Sequence, residues 1–98
     1  MKTAEDCQTM DDIRVEIDRL DRDLMKLLAE RSTYVDRAAD IKRVTGEAPD
    51  TRWRVKEVLD NARRNASDNG LDPDFAEALW RQLLKLAISR ETDRLKQD

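Results

Sequence analysis

The chain has 98 residues, of which 42% are charged and 39% hydrophobic, and its net charge is −3. This length suits one domain, and the lack of a basic block argues against a nucleic-acid-binding protein. No apolar stretch approaches the roughly 20 residues of a membrane-spanning helix, and the N-terminal residues lack the apolar core of a signal peptide. We therefore expect a cytoplasmic protein with a flexible N-terminus over 1–8 and a helical domain over 9–98.

The cysteine and histidine content excludes several kinds of chemistry. Cys7 is the only cysteine, and the chain has no histidine. An intrachain disulfide, a Cys/His zinc site within one chain and histidine-based acid–base catalysis are therefore excluded. Because Cys7 lies in a polar N-terminal segment, it is interpreted as a bystander thiol. We expect neither a metal ion nor a cofactor.

The longest predicted element is a helix over residues 10–44, which contain no glycine or proline. Thr9 and Asp12 resemble a weak capping box before it, and Gly46 is a suitable stop after it. At about 1.5 Å per residue this helix is roughly 50 Å long and cannot fold back on itself. A second copy of the chain is the simplest partner, so we expect a homodimer. The apolar stripe of this helix has helical spacing and consists of Ile13, Ile17, Leu20, Leu24, Leu27, Leu28, Val35, Ala38 and Ile41.

Two shorter helices are predicted over about 51–69 and 73–95, which makes the fold all-α with three helices. Trp53 and Trp80, one on each of these helices, are interpreted as packing groups. The boundaries are indicated by capping and turn-forming residues: a cap at Asp50 or Thr51, a stop at Gly70, and an N-cap followed by proline at Asp72 and Pro73.

Two cations interrupt the stripe of the long helix. Arg31 stands where the run 20, 24, 27 predicts an apolar residue, and Lys42 follows Arg31 by 11 residues. Eleven residues return to within about 20° of the same direction, about 16 Å further along the axis. Their side chains could hold an anion between them. Alternatively, each reaches water from the edge of the stripe or pairs with an acidic residue.

Three further charged residues are candidates. Glu91 stands in the stripe of the third helix, so it should pair with a cation or take up a proton, unless it is exposed at a frayed helix end. Arg14 precedes Arg31 by 17 residues, roughly 100° around the helix and about 25 Å away, so it can reach the same site only from a second chain. Arg54 could close that site. The alternative for Arg14 and Arg54 is a solvated surface position.

Several short motifs together resemble the all-helical class of chorismate mutases, which includes isochorismate pyruvate lyases built on the same fold. The similar segments are residues 13–21 (IRVEIDRLD), 27–31 (LLAER), 41–42 (IK) and 70–72 (GLD). The cation spacings of 17 and 11 also fit the family pattern. The resemblance covers residues 12–95, and its specificity lies in the combination of motifs.

The resemblance implies an intertwined homodimer with two intersubunit sites. Arg14 of one chain would join Arg31, Lys42, Arg54 and Glu91 of the other. The substrate would be a small dicarboxylate, and chorismate would rearrange to prephenate in one concerted step without nucleophile, metal or cofactor. Arg14 and Arg31 would bind the two carboxylates, and Lys42 would donate to the ether oxygen. Glu91 would meet the same oxygen and could donate a hydrogen bond there only when protonated.

Two substrate-binding positions depart from the mutase pattern, namely Val55, where many mutases have a carboxylate, and Ala87, where many have a hydroxyl. Val55 and the opening residues Lys2-Thr3 and Glu5-Asp6-Cys7 favour an isochorismate pyruvate lyase, which forms salicylate and pyruvate. Glu91 favours a mutase, because the lyases generally have glutamine there. We predict a chorismate mutase, with the lyase as the first alternative. A helical dimer that has lost catalysis and acts by binding a partner is the second.

Overall fold

The computed structural model of the protein describes residues 1–96, and this part of the chain consists of three α-helices with connecting turns. They are α1 (Met10–Thr45), α2 (Arg52–Asp68) and α3 (Pro73–Leu95). The prediction of an all-α chain with one very long helix is confirmed, and the helix bounds lie within a few residues of those predicted. None of the described helices has the length and apolar character needed to cross a bilayer.

The ends of α1 are formed by the residues that the sequence indicated. The Thr9 hydroxyl accepts a hydrogen bond from the backbone N–H of Asp12 at 3.1 Å, which is the N-capping contact. At the other end, Gly46 has a φ of +82°, and its N–H donates to the carbonyl of Lys42 at 2.7 Å. A side chain at Gly46 would be strained at this angle, so glycine allows the helix to end there.

The turn between α2 and α3 is a Schellman motif. The N–H of Leu71 donates to the carbonyl of Ala66 at 2.8 Å, and the N–H of Gly70, whose φ is +73°, donates to that of Ser67. Asp72 then caps α3 by accepting a hydrogen bond from the N–H of Asp74. This turn agrees with the prediction from glycine, aspartate and proline.

The start of α2 differs from the prediction in one detail. Thr51 occupies the N-cap position, but its side chain makes no capping hydrogen bond. Its hydroxyl donates instead to the carbonyl of Ala48 at 3.1 Å, within the preceding connection. Thr51 therefore stabilises the turn before α2, and its backbone carbonyl accepts hydrogen bonds from the N–H groups of Arg54 and Val55.

The chain divides into two compact units, Met1–Thr33 and the part from Tyr34 onward. In the first unit the apolar stripe of α1 is largely uncovered, since Leu20, Leu24 and Leu27 expose 49%, 54% and 61% of their surface. In the second unit α2 packs against α3. The buried apolar residues there are mostly small, namely Ala39, Leu59, Ala62, Ala66 and Ala76. Trp53 is mainly exposed, so the interpretation of Trp53 as a packing group does not hold within this chain.

Candidate active site

An ion pair joins the end of α1 to the end of α3. The Lys42 ammonium donates to the Glu91 carboxylate at 3.0 Å, and the two side chains are only 19% and 9% exposed. Lys42 Nζ also lies 3.5 Å from the carbonyl oxygen of Pro49. A buried carboxylate is costly unless it is paired, and this contact provides the partner. Of the alternatives for Glu91, the structure therefore shows pairing with a cation and not exposure at a frayed end.

Two bidentate arginine–aspartate contacts flank this pair. Arg90 donates through Nε and Nη2 to the two carboxylate oxygens of Asp36 at 2.6 and 2.9 Å. Arg94 contacts Asp40 in the same way at 3.0 and 3.2 Å. Hydrogen bonds from these guanidinium groups hold the pKa of each aspartate below its usual 3.8. The arginines precede and follow Glu91 on α3, so both contacts fix the helix turn that carries it.

The sequence reasoning missed these four residues. Asp36 and Asp40 are four apart on α1, and Arg90 and Arg94 are four apart on α3, so each pair lies on one helix face. Opposite charges with equal spacing on two helices were the available signal. It is weak, because the chain has 19 basic and 22 acidic residues and many such combinations.

Arg54 lies at the surface of α2 and not against the pair. Its guanidinium donates to the carboxylate of Glu57, one turn further along the same helix. Both side chains are about half exposed. Of the two alternatives for Arg54, the structure of the single chain shows the surface position, and a substrate contact would require a change of rotamer.

Val55 lies in a cleft of about 500 Å³ between α2 and α3. Leu59 and Ile88 form its apolar part together with Val55. Ala87, the residue before Ile88, is half-buried. The remaining lining residues are charged: Asp50, Arg52, Lys56, Asp60, Glu77 and Arg81. Three of these charged residues are acidic and three are basic, so the rim has no net charge and the cleft by itself does not indicate the charge of a ligand.

Arg14 and Arg31 belong to the first compact unit, Met1–Thr33. Arg14 is exposed and pairs with Asp11 at 3.3 Å, in the first turn of α1. Arg31 is half-buried on α1. Their association with Lys42 and Glu91 remains a prediction from the helix geometry and the family resemblance.

Comparison with known proteins identifies the family. Residues 13–92 match the sequence profile of the family Chorismate mutase type II. The chain belongs to the chorismate mutase type II family. The matched segment begins just before Arg14 and ends just after Glu91, so it contains all seven site residues that the sequence predicted.

A curated relative extends the match almost to both ends of this chorismate mutase-family chain. The chain is 38% identical over 91 residues to a protein named isochorismate pyruvate lyase from Pseudomonas aeruginosa. The aligned part covers 93% of this chain and 89% of the relative. The family resemblance inferred from the motifs is therefore confirmed. The matching family is named after the mutases and the relative is named a lyase, so the matches include both branches.

Proposed function

We propose that the protein is a chorismate mutase that converts chorismate to prephenate. The observation that supports this best is the Lys42–Glu91 ion pair, because the family resemblance implies a site role for both residues. The rearrangement breaks one carbon–oxygen bond and forms one carbon–carbon bond within a single molecule. It needs a selected conformer and donors at the breaking ether oxygen, and it needs no nucleophile or cofactor.

Lys42 can serve the substrate without leaving Glu91. An ammonium group has three N–H donors. In this structure one is directed to Glu91, and a second lies at the limit of hydrogen-bonding distance from the Pro49 carbonyl. The third donor is available for the ether oxygen or a substrate carboxylate. Glu91 then holds the ammonium in place while the charge on the ether oxygen increases.

Arg14 and Arg31 are the proposed carboxylate-binding residues. A guanidinium group binds a carboxylate through two parallel hydrogen bonds, which orients a dicarboxylate as well as neutralising it. Arg54 would add a contact once its side chain turns from Glu57 toward the substrate. Because Arg14 lies far along α1 from Arg31, we assign it to the site of a second chain.

A homodimer is part of the proposal. Ile13, Ile17, Leu20, Leu24 and Leu27 recur at alternating intervals of four and three, and each is more than a third exposed. This spacing is that of a helix seam that packs against another helix. Arg31 follows at the next interval of four, so the apolar seam leads directly to this proposed carboxylate-binding residue. Sedimentation equilibrium should give twice the chain mass of 11.4 kDa.

The second candidate is an isochorismate pyruvate lyase. It is favoured by the 38% identical relative that carries this name and by Val55, which offers no carboxylate to the hydroxyl group of chorismate. The same cations would bind isochorismate, and the products would be salicylate and pyruvate. The two candidates differ in the position of the substrate hydroxyl group that the site must accept.

One assay separates the candidates. The purified protein is incubated with chorismate and, separately, with isochorismate, and prephenate, salicylate and pyruvate are quantified. We expect prephenate from chorismate at the higher kcat/KM. Salicylate and pyruvate in equal amounts, with little prephenate, would establish the lyase instead. Absence of turnover with both substrates would contradict both and leave a binding role for the helical domain.

A further inference from the structure

The Arg90–Asp36 and Arg94–Asp40 contacts, called the two clamps below, have the geometry of a positioning device. The residues of each clamp are 54 apart in the chain, so the same offset is used twice, one helical turn apart. This offset means that α3 runs in the same direction as the end of α1. The clamps bind the last turns of α3, which the Lys42–Glu91 pair and the contact of Arg43 with Arg94 also hold.

Two clamps specify the register of α3 along α1, whereas one would not. If α3 slid by one turn, about 5.4 Å, Arg94 would meet Asp36 and one clamp would still form. The second clamp excludes this register, because Arg90 and Asp40 would then be unpaired. In the observed register Glu91 meets Lys42 at 3.0 Å. The contact between the arginine side chain of Arg43 and the backbone carbonyl of Arg94 supports the same register.

Stability alone is a poor explanation of the clamps. The side chains of Arg90 and Arg94 are 55% and 40% exposed, and a hollow of about 180 Å³ adjoins both clamps. Ion pairs that are open to solvent contribute little to folding free energy on average, and a bidentate geometry increases that contribution. The same bidentate geometry also constrains direction and distance strongly. A contact of modest energy and strict geometry suits the placement of a neighbouring residue.

We infer that Asp36, Asp40, Arg90 and Arg94 are positioning residues that set the distance between Glu91 and Lys42 and thereby the rate of the chemical step. This inference rests on the proposed function, since it concerns a site that acts on the ether oxygen of the substrate. The four residues do not touch the substrate. They act through Glu91, whose backbone they hold on both sides.

The kinetic test compares a double Asp→Asn variant of the clamps with a single Asp→Asn control elsewhere on α3. Asp36→Asn with Asp40→Asn removes the carboxylate charge from both clamps and keeps the side-chain shape. Asp74→Asn is the control, because Asp74 pairs with Arg63 between α2 and α3 at 2.8 Å and lies at the opposite end of α3 from Glu91. We expect kcat to fall about tenfold in the clamp variant, since small misplacements of reacting groups cost this much or more. We expect KM and the activity of the control to stay near those of the unchanged protein.

A second readout is independent of activity. Lys42→Met, Glu91→Gln and the combined change form a double-mutant cycle, and urea unfolding at one protein concentration measures the coupling between the two side chains. The cycle is repeated in the Asp36→Asn, Asp40→Asn background. If the clamps position Glu91, most of the coupling disappears there. If they add stability alone, the coupling is the same in both backgrounds.

The outcomes are distinct. An unchanged coupling overturns the inference whatever the kinetics show. In an active protein, an unchanged kcat of the clamp variant, or an equal loss in Asp74→Asn, also overturns it. If the unchanged protein converts neither chorismate nor isochorismate, the proposed function fails, and the coupling measurement alone then decides whether the clamps position Glu91.

Discussion

The two segments of α1, residues 10–33 and 34–45, use their charged side chains in different ways. In the first, most ion pairs run along the helix itself: Arg14 contacts Asp11, and Arg19 contacts Glu16 and Asp23. In the second, Asp36, Asp40 and Lys42 all pair with residues of α3. The first segment leaves its apolar stripe uncovered and available to another chain, whereas the second is bound to its own chain by directional contacts. In the proposed function, one helix therefore carries both the association surface and the residues that hold the site.

The largest effect is expected in the second segment, from loss of the Lys42 ammonium. Lys42→Ala should lower kcat/KM by about a hundredfold to a thousandfold, as expected when a donor to developing charge is removed. Prephenate formation measures this loss, and circular dichroism checks that the variant remains helical. Lys85→Ala, a change of an exposed lysine on α3, is the matched control and should keep full activity. Retained turnover in Lys42→Ala would defeat the site assignment.

The next effect concerns the first segment and its apolar stripe. Leu20→Glu places a charge on the seam in both copies of the proposed dimer, and the cost of desolvating that charge should raise the dimer dissociation constant at least about a hundredfold. Sedimentation equilibrium over a range of concentrations measures the shift. Val44→Glu, at a residue that is 87% exposed, is the control. Equal assembly of both variants would show that the stripe does not form the interface.

Much of the structure behind these two predictions could be predicted from the sequence. The stripe, the three helices and their ends follow from local patterns, and Thr9, Gly46, Gly70 and Asp72 act as expected. Thr51 did not, because a threonine at a helix start can bond either to the helix or to the preceding turn. The pairing of Glu91 was one of the predicted alternatives, since a carboxylate within an apolar stripe needs a partner.

The ion-pair partners of the surface residues could not be predicted from the sequence. Arg54 has Glu57 one turn away and selects it, although the sequence equally allowed a position over the site. Arg90 and Arg94 select Asp36 and Asp40 because of the tertiary register of α1 and α3, which no local pattern contains. The contribution of Arg14 to a second chain depends on assembly and stays a prediction.

We expect acid to weaken the ion pairs of the second segment, because it protonates their aspartates. The guanidinium groups of Arg90 and Arg94 keep the pKa of Asp36 and Asp40 below 3.8, the value expected in the unfolded chain. The unfolded chain therefore binds more protons than the folded chain near this pH, so folding stability falls as the pH falls. The contribution is complete above pH 3.8 and is lost as the pH drops through the lower, folded pKa of each group.

Urea unfolding between neutral pH and the acid range measures this dependence. Asp36→Asn with Asp40→Asn should reduce the loss of stability on acidification, because the two titrating groups are absent. The comparison is made as the change in unfolding free energy with pH, so a constant offset between the proteins does not matter. Parallel curves for both proteins would show that the clamps do not couple proton binding to folding.

The smallest effect is expected at the start of the first segment. Thr9→Ala removes the acceptor for the N–H of Asp12 and should lower the free energy of unfolding by about 1 kcal/mol, the usual cost of a lost N-cap. Thermal unfolding detects such a change. Thr33→Ala is the control, because an exposed threonine within α1 is replaced by the residue with the best helix propensity. A similar decrease in both variants would indicate that the cap is not used.

The carbonyl of Pro49 gives the connection between α1 and α2 a role beyond joining two helices. Its oxygen lies 3.5 Å from the Lys42 ammonium, so a loop residue shares the environment of the proposed site. A protein opened at residues 46–51, by a protease or by circular permutation, would keep all three helices while Pro49 was free to leave Lys42. Among the described residues, the turn at residues 69–72 makes no hydrogen bond to Lys42 or Glu91, so it is the safer place for new chain ends.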